Sequence, residues 1–125
     1  MKLLNNIALV GLLSALSAPS MAAQAPAYKQ AIRYSTWAEV CASEQRNLED
    51  GWQALSKEMA AAAITLLHDQ AYTREQISEQ ITWQSAWASG YLAGAYNNPI
   101  DFCESLWRTW SEETGWILTK AKAVK

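Results

Sequence analysis

The chain is poor in the groups that chemistry at protein sites most often uses. It holds one histidine, two cysteines, three prolines and one phenylalanine in 125 residues. A His-bearing metal site built on His68 would need carboxylates one helical turn away; Asp69 is adjacent instead, and no H-E-x-x-H pattern occurs. The two cysteines do not stand at the C-x-x-C spacing of a reactive pair. Positive charge is not in surplus either: ten basic side chains meet twelve acidic ones, which argues against a nucleic-acid surface. After residue 22 no stretch is long and apolar enough for a bilayer, which takes about 20 residues. No segment alternates at period two as a half-buried strand does. Asp101 and Glu104 form an i,i+3 acid pair, but Asp101 falls in the first turn of a predicted helix, where acids are favoured without a catalytic role. Paired-acid glycosidase chemistry also needs a cleft that a domain this small gives no sign of building. The expectation is a protein that is not an enzyme and takes no metal or other cofactor.

What is present begins with residues 1–22. Lys2, the apolar residues 7–18 and the small-x-small run Ser20-Met21-Ala22 have the layout of a secretory signal peptide. The apolar part is too short to span a membrane, and no cysteine near the cleavage site offers a lipid anchor. The expected mature product is exported, most simply to the periplasm of a Gram-negative bacterium, with no membrane insertion after cleavage. Cleavage after Ala22 leaves 103 residues, enough for one domain, with nine basic and twelve acidic side chains and a net charge of −3. In an oxidising compartment Cys41 and Cys103 are expected to pair. The bond would close a loop of about 62 residues, worth about 4 kcal/mol in the chain-entropy view.

Helical periodicity covers most of the rest. Residues 23–35 read as a loose lead-in, and residues 36–125 as a single all-α domain, a compact bundle of four to five helices. Thr36-x-x-Glu39 is a capping-box pattern that can open a helix at Trp37. Trp37, Cys41, Leu48, Trp52, Leu55, Met59, Ala62 and Leu66 then follow at helical spacing. Gly51 either kinks that run or divides it. Thr73-x-x-Gln76 is a second capping box, opening a helix to about Tyr96, and Asn98-Pro99 suits N-cap and N1 of the next. That helix presents Cys103, Leu106, Trp107 and Trp110, with Gly115 as its expected end and a short segment, 116–121, after it. His68 and the basic tail Lys120, Lys122 and Lys125 suit helix C-termini. A Cys41–Cys103 bond would lay the last helix beside the first.

Two constellations stand out. Gly90 and Gly94, with Ala86, Ser89 and Ala93, make a small-residue face expected to pack closely on another helix. Seven tryptophans are far above ordinary usage in so short a chain. Trp37, Trp52, Trp107 and Trp110 fall on predicted core stripes, with their indole N–H groups bonded at the periphery. Trp83 and Trp87 share a helix face at i,i+4. With Tyr96 and Trp116 they are the candidate partner-binding aromatics, since exposed Trp and Tyr are enriched in binding hot spots.

The stretch Ser89-Gly90-Tyr91-Leu92-Ala93-Gly94-Ala95-Tyr96-Asn97, followed by Phe102-Cys103, resembles a pattern in Tai-type periplasmic immunity proteins, which neutralise type VI secretion amidases. Ala88 stands where that family commonly has a cysteine. The resemblance implies an exported, disulfide-tied helical protein that inhibits a secreted toxin by surface complementarity. Trp37-x-x-x-Cys41 early and Cys103 late are also similar in layout to HdeA-like acid chaperones, whose cysteines tie an early helix to a late one. That likeness implies a domain that unfolds in acid and exposes apolar surface. A structural component of the envelope is the third expectation. The partner and the oligomeric state stay open.

Overall fold

The computed structural model describes residues 25–124, so the leader expected over 1–22 lies outside the described residues. Among these, four α-helices follow one another without a strand. They are α1 (Ala27–Glu44), α2 (Glu49–Asp69), α3 (Arg74–Ala95) and α4 (Pro99–Lys122), with a 3-10 turn (Arg46–Leu48) between the first two. The chain is an all-α bundle tied by one disulfide.

α1 starts ten residues before the expected position. Tyr28, Ala31 and Ile32 are buried and extend the Trp37–Cys41 stripe backwards, so packing makes the supposed lead-in helical. The Thr36 pattern therefore lies mid-helix, where the Thr36 hydroxyl reaches the Ile32 carbonyl and the Ser85 hydroxyl, each at 3.0 Å. The break before α2 falls at Gln45, whose φ and ψ are −118° and 76°, and not at Gly51. Gly51 instead admits a close approach: a Cβ there would stand 2.8 Å from Cη2 of Trp107, whose indole lies against it. α2 ends in a Schellman motif. Tyr72 N–H bonds the Leu67 carbonyl at 3.1 Å and Ala71 N–H bonds that of His68 at 2.9 Å. Ala71 adopts φ 64° there, a position glycine usually fills.

α3 and α4 begin as their local sequences dictate. Thr73 accepts from Gln76 N–H while the Gln76 side chain accepts from Thr73 N–H, a complete capping box. Asn98 caps α4 by accepting from Ile100 N–H at 3.0 Å, with Pro99 at N1. α4 does not end at Gly115. Thr114 and Ile117 continue the buried stripe of Leu106 and Trp110, and their burial outweighs the roughly 1 kcal/mol that a mid-helix glycine costs. The separate segment over 116–121 is thus the last part of α4.

The core lies between α1, α2 and α4. Trp52 is completely buried, donates its indole N–H to Gln45 Oε1 at 2.8 Å, and meets Trp110 edge to face at 5.7 Å. Ser35 and Ser56 bring α1 and α2 close, each hydroxyl within 3.0 Å of the other and of the opposite carbonyl. The indole N–H of buried Trp110 finds no acceptor among the described residues, against the expectation of a bonded periphery. Cys41 and Cys103 form a fully buried disulfide with a Cα–Cα distance of 5.5 Å, and α4 does pack on α1. α3 differs: it lies along α1 and has little packing against α2 or α4.

Candidate functional site

The feature that sets α3 apart starts in its composition. From Gln80 to Ile100, 21 successive residues carry no charged side chain. A helix buried on all sides could be so composed, yet only Ile77, Gln84, Ala88 and Leu92 of α3 are buried. Of eight large hydrophobic side chains exposed among the described residues, six fall at or near this stretch: Ile81, Trp83, Trp87, Tyr91, Tyr96 and Ile100. Trp83 is the most open, 58% exposed, and Trp87 follows at 46%. Trp83, Trp87 and Tyr91 recur every four residues, so they line one helix face over about 12 Å of rise.

Part of this face lines a groove of about 370 Å³ between α1, α3 and the start of α4. Buried Trp37 forms its floor. It donates its indole N–H to the Ala88 carbonyl at 2.8 Å, the bond that pins α3 to α1. Around it the rings are organised by edge and face contacts. Trp87 and Tyr91 stack at 5.4 Å with planes 11° apart. Tyr96 meets Phe102 at 5.0 Å, and Phe102 meets Trp37 at 5.5 Å. The wall is therefore preassembled from three helices and the α3–α4 turn.

Two charged groups line the same groove. The Arg33 guanidinium lies over the Trp87 ring, 3.8 Å from its centroid, and its Nε–H donates to Gln84 Oε1 at 2.9 Å. Burial pushes the Arg33 pKa below its ordinary value. Glu113 accepts from the Tyr34 hydroxyl and from the Thr109 hydroxyl, each at 2.7 Å. Burial first, and then the bond to Glu113 and its charge, push the Tyr34 phenol well above its ordinary range.

The predicted residues fare unequally. Trp87 and Tyr96 line the groove, and Trp83 extends their face one turn beyond it. Trp116 is half-buried against the core and belongs to no part of this wall. Gly90 and Gly94 are exposed, and a Cβ at either would meet nothing within 4 Å, so they do not pack another helix. Trp107, expected in the core, is 39% exposed. Its ring rides on Gly51 and packs edge-on against Trp52 at 5.0 Å. Tyr91 completes the face and follows from extending the Trp83–Trp87 spacing by one turn. Arg33 has no such local signal, because Gln84 lies 51 residues away.

His68 is exposed at the end of α2, and no group of three His, Cys, Asp or Glu side chains that could hold a metal occurs among the described residues. No helix among these residues is long and apolar enough to cross a membrane. Compared with models of known families, with curated proteins and with solved structures, the chain matches none of them.

Proposed function

We propose that this chain is an exported, non-enzymatic protein-binding domain of the periplasm, an immunity-type inhibitor that seats the aromatic face of α3 on a secreted toxin and occludes its active site. One observation carries the reading: a charge-free helix face of large aromatic side chains, held open to solvent on a disulfide-tied body. Fully burying one such side chain is worth roughly 1.5–3 kcal/mol, so a partner covering several of them gains enough for tight binding. The staple and the ring-to-ring contacts fix the wall beforehand, which lowers the ordering cost of association. Anchors at i and i+4 are the form in which a helix enters a partner's groove.

The acid-chaperone reading draws on the tie between an early and a late helix, but it needs carboxylates whose protonation opens the fold. None of the twelve carboxylates is buried, and the single ion pair among the described residues, Arg46–Glu49 at 3.4 Å, lies on the surface. Suppression of client aggregation at about pH 2–3, measured by light scattering, would support that second reading. The inhibitor reading is tested by cross-linked co-purification from the producing strain under toxin-expressing conditions. One dominant partner, whose activity falls on stoichiometric addition of the domain, is the expected result. Recovery of none rejects it.

A further inference from the structure

Among the described residues Arg33 is the one cation lining the aromatic groove, and none of their carboxylates pairs with it. Its plane is set by Trp87 at 3.8 Å and its Nε–H is committed to Gln84, a side chain that is itself only 8% exposed. Those two contacts leave the outer edge of the guanidinium, the fork of Nη1 and Nη2, without a hydrogen bond among the described residues. No carboxylate of these residues lies within ion-pair distance of it. Its neighbours one turn away on α1 are Lys29, Gln30, Thr36 and Trp37, and α3 is free of charge from Gln80 onward. Glu113 lines the groove too, its oxygens accepting from Tyr34 and Thr109, but it lies beyond ion-pair distance of Arg33.

An arginine so placed is unusual in what it leaves undone. Holding the side chain over an indole and against a buried amide removes water from part of the guanidinium and freezes rotamers, and no anion of the described residues compensates. What remains is a planar, oriented pair of N–H groups, the geometry that matches a carboxylate bidentately.

We infer that Arg33 is a preformed receptor for a side-chain carboxylate of the protein partner, so that the segment docking on the α3 face carries an aspartate or glutamate set among apolar side chains. This rests on the docking role proposed above for the same face. A bound segment would lay its apolar side chains along Trp83, Trp87 and Tyr91 while its acid closes on the Arg33 fork. A small free carboxylate would meet the fork but leave Trp83, outside the groove, uncovered.

The test uses a random peptide library displayed on phage and selected on the immobilised folded domain, with binders then measured as synthetic peptides. The expected binders carry an acid next to aromatic or aliphatic residues and lose affinity to Trp87→Ala. Replacing that acid by its amide should weaken binding to the wild type by about 10- to 100-fold, the worth of a hydrogen bond to a charged group. On Arg33→Gln the same replacement should cost under about 2-fold, because the cycle isolates the pair. The peptide change cannot disturb the domain's fold, so the wild-type arm stands even if Arg33→Gln is unstable. Binders without acids, or acids whose replacement costs as much on Arg33→Gln as on wild type, overturn the carboxylate inference. If such binders still depend on Trp87, the docking face survives without it. If no binder depends on Trp87, the docking reading fails as well.

Discussion

The α1–α2–α4 body and α3 spend their aromatic residues in opposite ways. In the body, Trp52 and Trp110 are buried against each other and against the disulfide-tied helices. On α3, Trp83, Trp87 and Tyr91 are turned to solvent while no aromatic residue is among the buried ones, Ile77, Gln84, Ala88 and Leu92. A helix shaped only by folding would reverse that assignment, because burying a large apolar side chain is the main favourable term available. The contrast fits the docking role proposed above, with stability supplied by the body and open aromatic surface by α3. α3 is joined to the body through α1, by the buried side chains of Ile77, Ala88 and Leu92 and by the Trp37–Ala88, Arg33–Gln84 and Thr36–Ser85 bonds.

The comparison can be broken most forcefully at the body. Replacing Cys41 and Cys103 by serine should lower unfolding stability by about 4 kcal/mol, since the bond closes a long loop; denaturant unfolding of the double variant measures it. Trp52→Ala should cost about 3–5 kcal/mol, as for other buried tryptophans. Trp87→Ala should cost no more than about 2 kcal/mol, the worth of its stacking and cation–π contacts. Trp83, 58% exposed and in contact with no other ring among the described residues, should tolerate alanine within about 0.5 kcal/mol. If Trp83→Ala and Trp52→Ala proved equally costly, the division between the regions would not hold.

A smaller effect of opposite sign sharpens the same line. Gly90→Ala and Gly94→Ala should each stabilise by roughly 0.5–1 kcal/mol, because both sites are helical and open. Gly51→Ala gains the same propensity but must displace the Trp107 ring, standing 2.8 Å from the new Cβ. Its thermal midpoint should therefore fall below that of either α3 variant.

The parts of this architecture written locally were legible in the sequence. Thr73 with Gln76, and Asn98 with Pro99, marked real helix starts because caps act through bonds to neighbours within three residues. The cysteine pair was legible from its even count. What failed was decided by distant contacts. Thr36 and Glu39 spell a capping box, yet burial of Tyr28, Ala31 and Ile32 carries the helix through them. Gly115 reads as a stop, yet Thr114 and Ile117 hold α4 on the core. Gly90 and Gly94 look like a packing face because spacing cannot tell which side of a helix meets a neighbour. At the site, Trp83 and Trp87 share a face by their i,i+4 spacing, whereas Arg33 enters only because the fold lays α1 against α3.

On the docking role proposed above, the α3 aromatics serve a partner and not the fold. It is tested most directly by cross-linked recovery of the partner from producing cells, comparing wild type with the Trp83→Ala/Trp87→Ala double variant under conditions where both are folded. The account predicts that the wild type recovers one dominant protein and that the double variant loses it by at least about 10-fold, as removal of hot-spot residues does. Equal recovery by both proteins would contradict it.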